Sequence, residues 1–393
     1  MRASQHPPIT AVFSFGFRPF FLAAGVWASI AIGLWVAIVL GYLHLPTRFD
    51  PVAWHVHEML FGLVLAAVAG FLLTAIASWT GRPPVSGRPL VLLLVLWSLG
   101  RLVCLVSAYL PFWPAAAVDL SFPAALLAVV ASEIVGGRNW RNLPMLLPLA
   151  VFITADLLMH LEVAGVAIPV GLGWRLGIVA ALQLISVVGG RIIPSFTRNW
   201  LTQRGHSRLP APHGTVDTAA IGLLHGALLL WAFVPGLRAT GPILILAAAA
   251  NVWRLSRWVG RATLSEPLLF ILHVGYAWLA IGVALLGLSV SGTTVPIASA
   301  LHALTVGAIG TMILAVMTRV SLGHTGRALS ASRPTVVIFL LVNGAALARV
   351  AASWSALVTT TFIVVSAVCW IAAFGLFEIR YSPVLLAPRI KPH

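Results

Sequence analysis

The sequence predicts an all-α integral membrane bundle of about 12 transmembrane helices. Three observations carry that prediction. First, 60% of the residues are hydrophobic and only 8% are charged, against about 25% charged in a soluble domain. Such a chain cannot cover itself with a polar surface, so lipid must be its main solvent. Second, apolar runs of about 18–25 residues recur along the whole length, each enough to cross a bilayer. Third, no polar block between them is long enough for a separate domain, so the chain reads as a single integral membrane domain over 1–393, with spans from roughly 17 to 377.

The expected spans cover 17–42, 58–79, 89–110, 114–134, 143–163, 172–193, 217–236, 241–258, 267–289, 298–318, 335–353 and 357–377. In lipid the backbone must satisfy its own hydrogen bonds, and these runs have helical length, so they are helices. The first, "FFLAAGVWASIAIGLWVAIVLG", is too long for a signal-peptide core and lacks a cleavage-type end, so it reads as a retained helix.

The net charge of +15 would fit a nucleic-acid binder, but its placement argues for topology instead. The basic residues sit in short connections between apolar runs. With the N-terminus inside, 19 of them, from Arg2 and Arg18 through Arg389 and Lys391, fall on the inner side, and four, Arg48, Arg175, Arg238 and Arg349, fall outside. Both termini are therefore expected on the cytoplasmic face, with lipid and not nucleic acid as the partner. Lys391 is the only lysine, which leaves no P-loop lysine and argues against ATP-driven transport.

A weak internal regularity joins the second, sixth and tenth spans. They end in "TAIASWTGRPP", "GGRIIPSFTRN" and "LAVMTRVSLGHTGR". Each has small residues in its body and a Thr–Arg-type exit. A threefold arrangement of four-helix units accounts for this spacing; shared loop chemistry accounts for it as well.

The candidate site residues are ionisable groups set where burial penalises them. His57 opens the second span in "WHVHEMLFG", His160 lies near the same end of the fifth, and His302 near the same end of the tenth. With His55 they form one expected outer layer. His225 and His273 enter from the inner side, ~9–12 Å deep at the helical rise. An intramembrane histidine either holds a metal as neutral imidazole or bonds a neighbouring helix, and both readings stand for each of the six. Two on facing helices could hold a haem iron from both sides; three could hold copper. His44, His206, His213 and His324 read as solvated.

Positions i and i+2 of a helix point about 200° apart, so His55 and His57 do not share one ion on a regular helix. Glu58 is expected either to cap the helix N-terminus or to orient a ligating imidazole. Arg101, mid-span, needs an acidic partner, a haem propionate or a watery cavity; Asp119 on the next helix is one candidate, and Asp156 and Glu133 are further buried acids. Cys104 and Cys369 lie singly in apolar runs, with no CxxC and no CxxCH, and read as packing. Cysteine is therefore not expected in either histidine layer, and any haem would be held without thioether bonds. Met312 and Met317 read as packing, with a soft copper contact as the alternative.

The segments "GFRPFFLAAGVWA", "WHVHEMLFG", "AGFLLTAIASWTGRPPVSG", "GGRIIPSFTRNWL", "LHVGYAWLAIG" and "LHALTVGAIGTMILAVMTRVSLGHTGR" resemble the motifs of the NnrS family over nearly the whole chain. The resemblance implies a bacterial inner-membrane protein associated with haem and copper and with the nitric oxide and nitrosative stress response. It implies haem and copper; set on the candidate residues, non-covalent haem b is expected at His57 and His302 with Arg101 near it, and copper among some of His55, His160, His225 and His273. Nitric oxide and an unknown electron donor are the implied partners. Binding, reduction or scavenging of nitric oxide is the expected activity, and transport of a metal or a nitrosative product is the alternative. The helix count is also similar to that of haem–copper oxidase subunit I, a fold-level analogy only.

Overall fold

The computed structural model describes residues 11–354 and 357–390. Arg2 and Lys391, both assigned above to the inner side, lie outside the described residues. The described residues form twelve long helices and no strand. They are α1 (Phe17–Val39), α2 (Pro51–Thr80), α3 (Arg88–Leu105), α4 (Phe112–Gly136), α5 (Trp140–Val163), α6 (Leu172–Thr202), α7 (Thr215–Phe233), α8 (Thr240–Ser256), α9 (Pro267–Val290), α10 (Ile297–His324), α11 (Arg333–Ala351) and α12 (Thr359–Leu386). All but the 17-residue α8 are long and apolar enough to cross a membrane.

The helix ends follow their local chemistry. α2 starts at Pro51, seven residues ahead of the expected 58. The Asp50 carboxylate accepts from the backbone N–H groups of Val52 (2.9 Å) and Ala53 (3.0 Å), and proline stands at the first helical position. Asp50, and not Glu58, is therefore the cap. α2 ends at Gly81, whose φ of 69° is the left-handed conformation that glycine adopts without strain. α6 and α12 run past the expected limits of 193 and 377.

The chain forms two compact units. Unit 1 holds residues up to Gly177, Met317–Leu329 and those from Phe374 on; unit 2 holds Ile178–Val316 and Ser330–Ala373. Each has its own apolar core, in unit 1 with Phe20 stacked on Phe122 (ring centroids 5.6 Å apart), in unit 2 with Leu244, Leu272, Leu286 and Leu304 fully buried. Large apolar side chains such as Leu102, Leu147 and Leu340 are exposed, as lipid-facing residues should be.

Three helices depart from α geometry. α2 carries a π segment at Glu58–Val64, α6 at Ile185–Gly189 and α10 at Ala303–Gly310. These are the three helices joined by the sequence regularity, and among the described residues no other helix has one. A π turn inserts a residue, frees carbonyls from the regular ladder and often marks a functional site. Side-chain donors reach carbonyls in two of the segments: the Trp97 indole donates to the Gly62 carbonyl (3.0 Å) and the Arg254 guanidinium to that of Ser186 (3.1 Å). His57 and His302 each stand immediately before a π segment.

In unit 2, α9 and α10 approach so closely at Gly282 that an added Cβ would lie 2.6 Å from Leu304 Cδ2 and 3.0 Å from its backbone nitrogen. Gly282→Ala is expected to cost about 1–3 kcal/mol through overpacking, read as a lowered unfolding midpoint in detergent. An unchanged midpoint would mean that α10 can move aside.

Candidate metal centre

The sequence places four charged side chains on separate helices of unit 1, and packing converges them. Arg101 on α3 is 4% exposed and bridges two acids: Nη1 donates to Glu58 Oε2 (2.8 Å) and Nη2 to Asp119 Oδ1 (2.5 Å). Asp119 was an expected partner. Glu58 was not, because its helix was taken to start at it; with α2 beginning at Pro51, Glu58 lies inside the helix and is fully buried.

His57 completes the arrangement. Its Nδ1 is 3.1 Å from Glu58 Oε1, and its Nε2 is 3.0 Å from both Asp119 Oδ2 and Asp156 Oδ1. His160, one turn beyond Asp156 on α5, places its Nε2 3.0 Å from the same Asp119 Oδ2 and 3.7 Å from Asp156 Oδ1. A neutral imidazole has one N–H to donate. With carboxylates at both of its nitrogens, His57 leaves one lone pair facing an acid unless a proton or a cation lies between them.

Cys104, one turn after Arg101 on α3, brings a sulfur to the same point. One ligand atom from each of His57, Cys104, Asp119 and His160 lies within 4.8 Å of the others, and all four residues are buried. The expectation that Cys104 only packs, and that no cysteine joins the histidines, is corrected here. A lone cysteine in an apolar run carries no sequence signal of its own; its position one turn after a buried arginine was the only hint.

Formal charge sharpens the picture. Glu58, Asp119 and Asp156 bring three negative charges and Arg101 one positive, leaving two negative charges uncompensated when both imidazoles are neutral. Asp156 Oδ2 is buried and has no hydrogen-bond partner. Buried charge in an apolar surround must be neutralised, and a divalent cation among two imidazole nitrogens, a sulfur and a carboxylate oxygen would do so. The donors fit a small borderline or soft ion such as copper or zinc. The rings of Phe49 (4.7 Å), Phe61 (5.0 Å) and His160 (5.5 Å) enclose the His57 imidazole. Such surroundings suit an ion better than the face of a porphyrin.

The other predicted histidines lie elsewhere. His55 stacks on Trp35, ring centroids 4.5 Å apart, and does not join the cluster, in keeping with its i,i+2 offset from His57. In unit 2, His273 donates from Nδ1 to the Leu269 carbonyl (3.2 Å), and its Nε2 accepts from the Thr197 hydroxyl (3.3 Å). This is the helix-bonding alternative for His273. His225 Nε2 is buried without a hydrogen-bond partner. His302 donates from Nδ1 to the Ala298 carbonyl (2.6 Å), which makes Nε2 its lone-pair nitrogen. Met312 and Met317 are packed in the interior, and His324 is exposed, as expected, with its ring tilted against that of Phe17 (5.7 Å).

A family model described as NnrS protein matches residues 11–389. The chain belongs to the NnrS family. Among curated proteins, none matches this sequence. The matched range spans both units of this NnrS family member, so the cluster of unit 1 and the histidines of unit 2 lie within one family domain.

Unit 2 of this NnrS family member holds a second buried ionic group that sequence reading missed. Asp217 Oδ1 accepts from Arg254 Nε and Oδ2 from Arg257 Nη1, both at 3.1 Å. Arg254 also donates to the Tyr276 hydroxyl, which donates to Asn251 Oδ1, both at 2.7 Å. Arg254 was counted only among the inner-side basic residues, and helix boundaries alone do not reveal that it turns inward. This network is closed on itself, and its guanidinium braces the π segment of α6.

Proposed function

We propose that this NnrS family member acts in the nitric oxide and nitrosative stress response by holding copper at His57, Cys104, Asp119 and His160 and binding or reducing nitric oxide there. The observation that carries the reading is the convergence of four buried donors, of three chemical types, on one point inside an apolar bundle with two negative charges to spare. Copper in such a site supplies one-electron exchange with a small apolar gas that partitions into lipid. The chain's own residues hold the geometry. Arg101 locks Glu58 and Asp119 in place, Glu58 orients the His57 ring through Nδ1, and the phenyl rings around it keep water out. Electrons come from a donor of unknown identity.

The choice of copper, and of haem b beside it, rests on the family resemblance. Haem b is assigned to His302, whose ring is oriented by its bond to Ala298. The tight pairing of Arg101 with Asp119 and of Asp156 with His57, none of the three charged groups more than 4% exposed, supports a fixed centre over a path lined by the same residues. The 19-to-4 distribution of basic residues supports a bacterial inner-membrane protein with cytoplasmic termini.

The test is copper and iron analysis of the purified protein after a chelator wash, with reduced-minus-oxidised visible spectra taken with and without nitric oxide. Wild type is expected to retain stoichiometric copper, and His57→Ala and His160→Ala to lose it. His302→Ala is expected to remove the haem band and keep the copper. If wild type retains neither metal while proteoliposomes show metal flux, the protein is a transporter. Loss of haem in His57→Ala would return His57 to the haem.

A further inference from the structure

One end of unit 1 gathers four arginines, none of which forms an ion pair among the described residues. Arg18 opens α1 and is 2% exposed; its Nη1 donates to the carbonyls of Leu385 and Ala387, both at 2.6 Å. Its Nε is buried and has no partner. The tail after α12 is clipped onto the turn after α10 by a bond from the Ile390 amide to the Thr325 carbonyl (3.0 Å). That turn passes through Gly326 at a φ of 75°, and a Cβ built there would lie 3.7 Å from Arg389 Cγ. Arg389 is thereby held against the turn that carries Arg327, and Arg327 Nη1 is also buried and unpartnered.

Three of the side chains share one field. Arg18 feels the charge of Arg327, and Arg327 that of Arg380. Burial, and then the Arg380 charge, hold the Arg327 guanidinium below its ordinary value. Arg82, Arg101, Arg254 and Arg257 form ion pairs, and none of these belongs to the cluster. Backbone carbonyls accept from Arg18 Nη1 but leave its Nε and its charge unanswered. Arg18 is removed from water without a counter-charge, which is costly, and with Arg327 half-buried and Arg380 and Arg389 exposed around it the site has room for an anion.

Convergent guanidiniums suit an anion with several acceptor oxygens, and phosphate is the best match. The flanks are apolar and face outward: Ile379 is 76% exposed, Ile390 48% and Leu386 40%. A charged patch with an oily flank at the end of a membrane bundle matches a lipid with a charged head. We propose that Arg18, Arg327, Arg380 and Arg389 bind the headgroup phosphate of an anionic phospholipid, whose acyl chains lie along the exposed Ile379 and Leu386. The lipid ties the start of α1, the turn after α10 and the end of α12 together, and this role is independent of the metal centre.

The experiment uses the full chain purified in neutral detergent. Phosphatidylglycerol, phosphatidylcholine and inorganic phosphate are added separately, and bound lipid by native mass spectrometry and the unfolding midpoint are both read. Phosphatidylglycerol is expected to raise the midpoint and stay bound, and phosphatidylcholine to do neither. Arg327→Gln and Arg389→Gln should each weaken phosphatidylglycerol binding about tenfold, the loss expected for one charge-assisted hydrogen bond. Arg88→Gln, which removes an exposed charge outside the cluster, should leave binding unchanged. Arg18→Gln also releases the tail carbonyls and can unfold the end of the unit, so the test rests on the other two. Equal binding in wild type and both cluster variants, or an equal response to phosphatidylcholine, overturns the proposal. A midpoint shift produced equally by inorganic phosphate would overturn the lipid assignment in favour of a free phosphate.

Discussion

Asp119→Asn is expected to cost about 3–5 kcal/mol of stability, the penalty for breaking a buried ion pair, and to release the bound metal. Both carboxylate oxygens are committed. Oδ1 takes the Arg101 bond at 2.5 Å, and Oδ2 faces His57 and His160 at 3.0 Å each. Asparagine keeps the shape but replaces one oxygen with an NH2 donor. In one orientation that donor faces the guanidinium, and in the other it faces the imidazole nitrogens. The side chain cannot back away, because α3 passes Asp119 at Gly100, where an added Cβ would lie 2.5 Å from Oδ1 and 3.3 Å from the Asp119 Cα.

The matching control lies in unit 2. Asp217→Asn breaks another buried arginine–aspartate group, with Arg254 1% exposed. It should lower stability by a similar amount and leave copper content untouched. Denaturation midpoints and metal analysis of the two variants separate a structural acid from a ligand. If Asp119→Asn is destabilised yet keeps its metal, the carboxylate only neutralises Arg101, and the ion must be held by the other donors.

Much of this centre was legible because lipid makes every charge conspicuous. Arg101, Asp119, Asp156, His57 and His160 stand out in apolar runs, and the i,i+4 spacing of Asp156 and His160 already puts them on one helix face. Glu58 was misread for a specific reason. The apolar run begins after it, whereas the helix begins at the Asp50–Pro51 pair, a start signal that hydropathy does not register. The π segments had no sequence reading at all; only the kinship of α2, α6 and α10 pointed to those helices. Which buried histidines would be satisfied by neighbours, as His273 is by Leu269 and Thr197, depends on packing between helices far apart in sequence.

Cys104→Ser decides what kind of metal centre this is. The change swaps sulfur for oxygen at a site 1% exposed and leaves the ion network of Arg101 intact, so the fold should lose little. Metal affinity should fall by more than the ~10–100-fold that loss of an outer partner costs, since a ligand is removed outright. Thiolate sulfur is the donor in this set that most favours copper(I) and that gives copper(II) a strong charge-transfer absorption. Wild type loaded with copper should show that absorption, and the serine variant should not, measured by titration in detergent. Retention of copper with an unchanged spectrum would make Cys104 the packing residue its isolated place in the sequence suggests. The carboxylate and two imidazoles would then be the ligands. A wild-type site that takes up zinc and shows no copper absorption would have no electron to exchange with nitric oxide, and the proposed chemistry would have to move to the haem at His302.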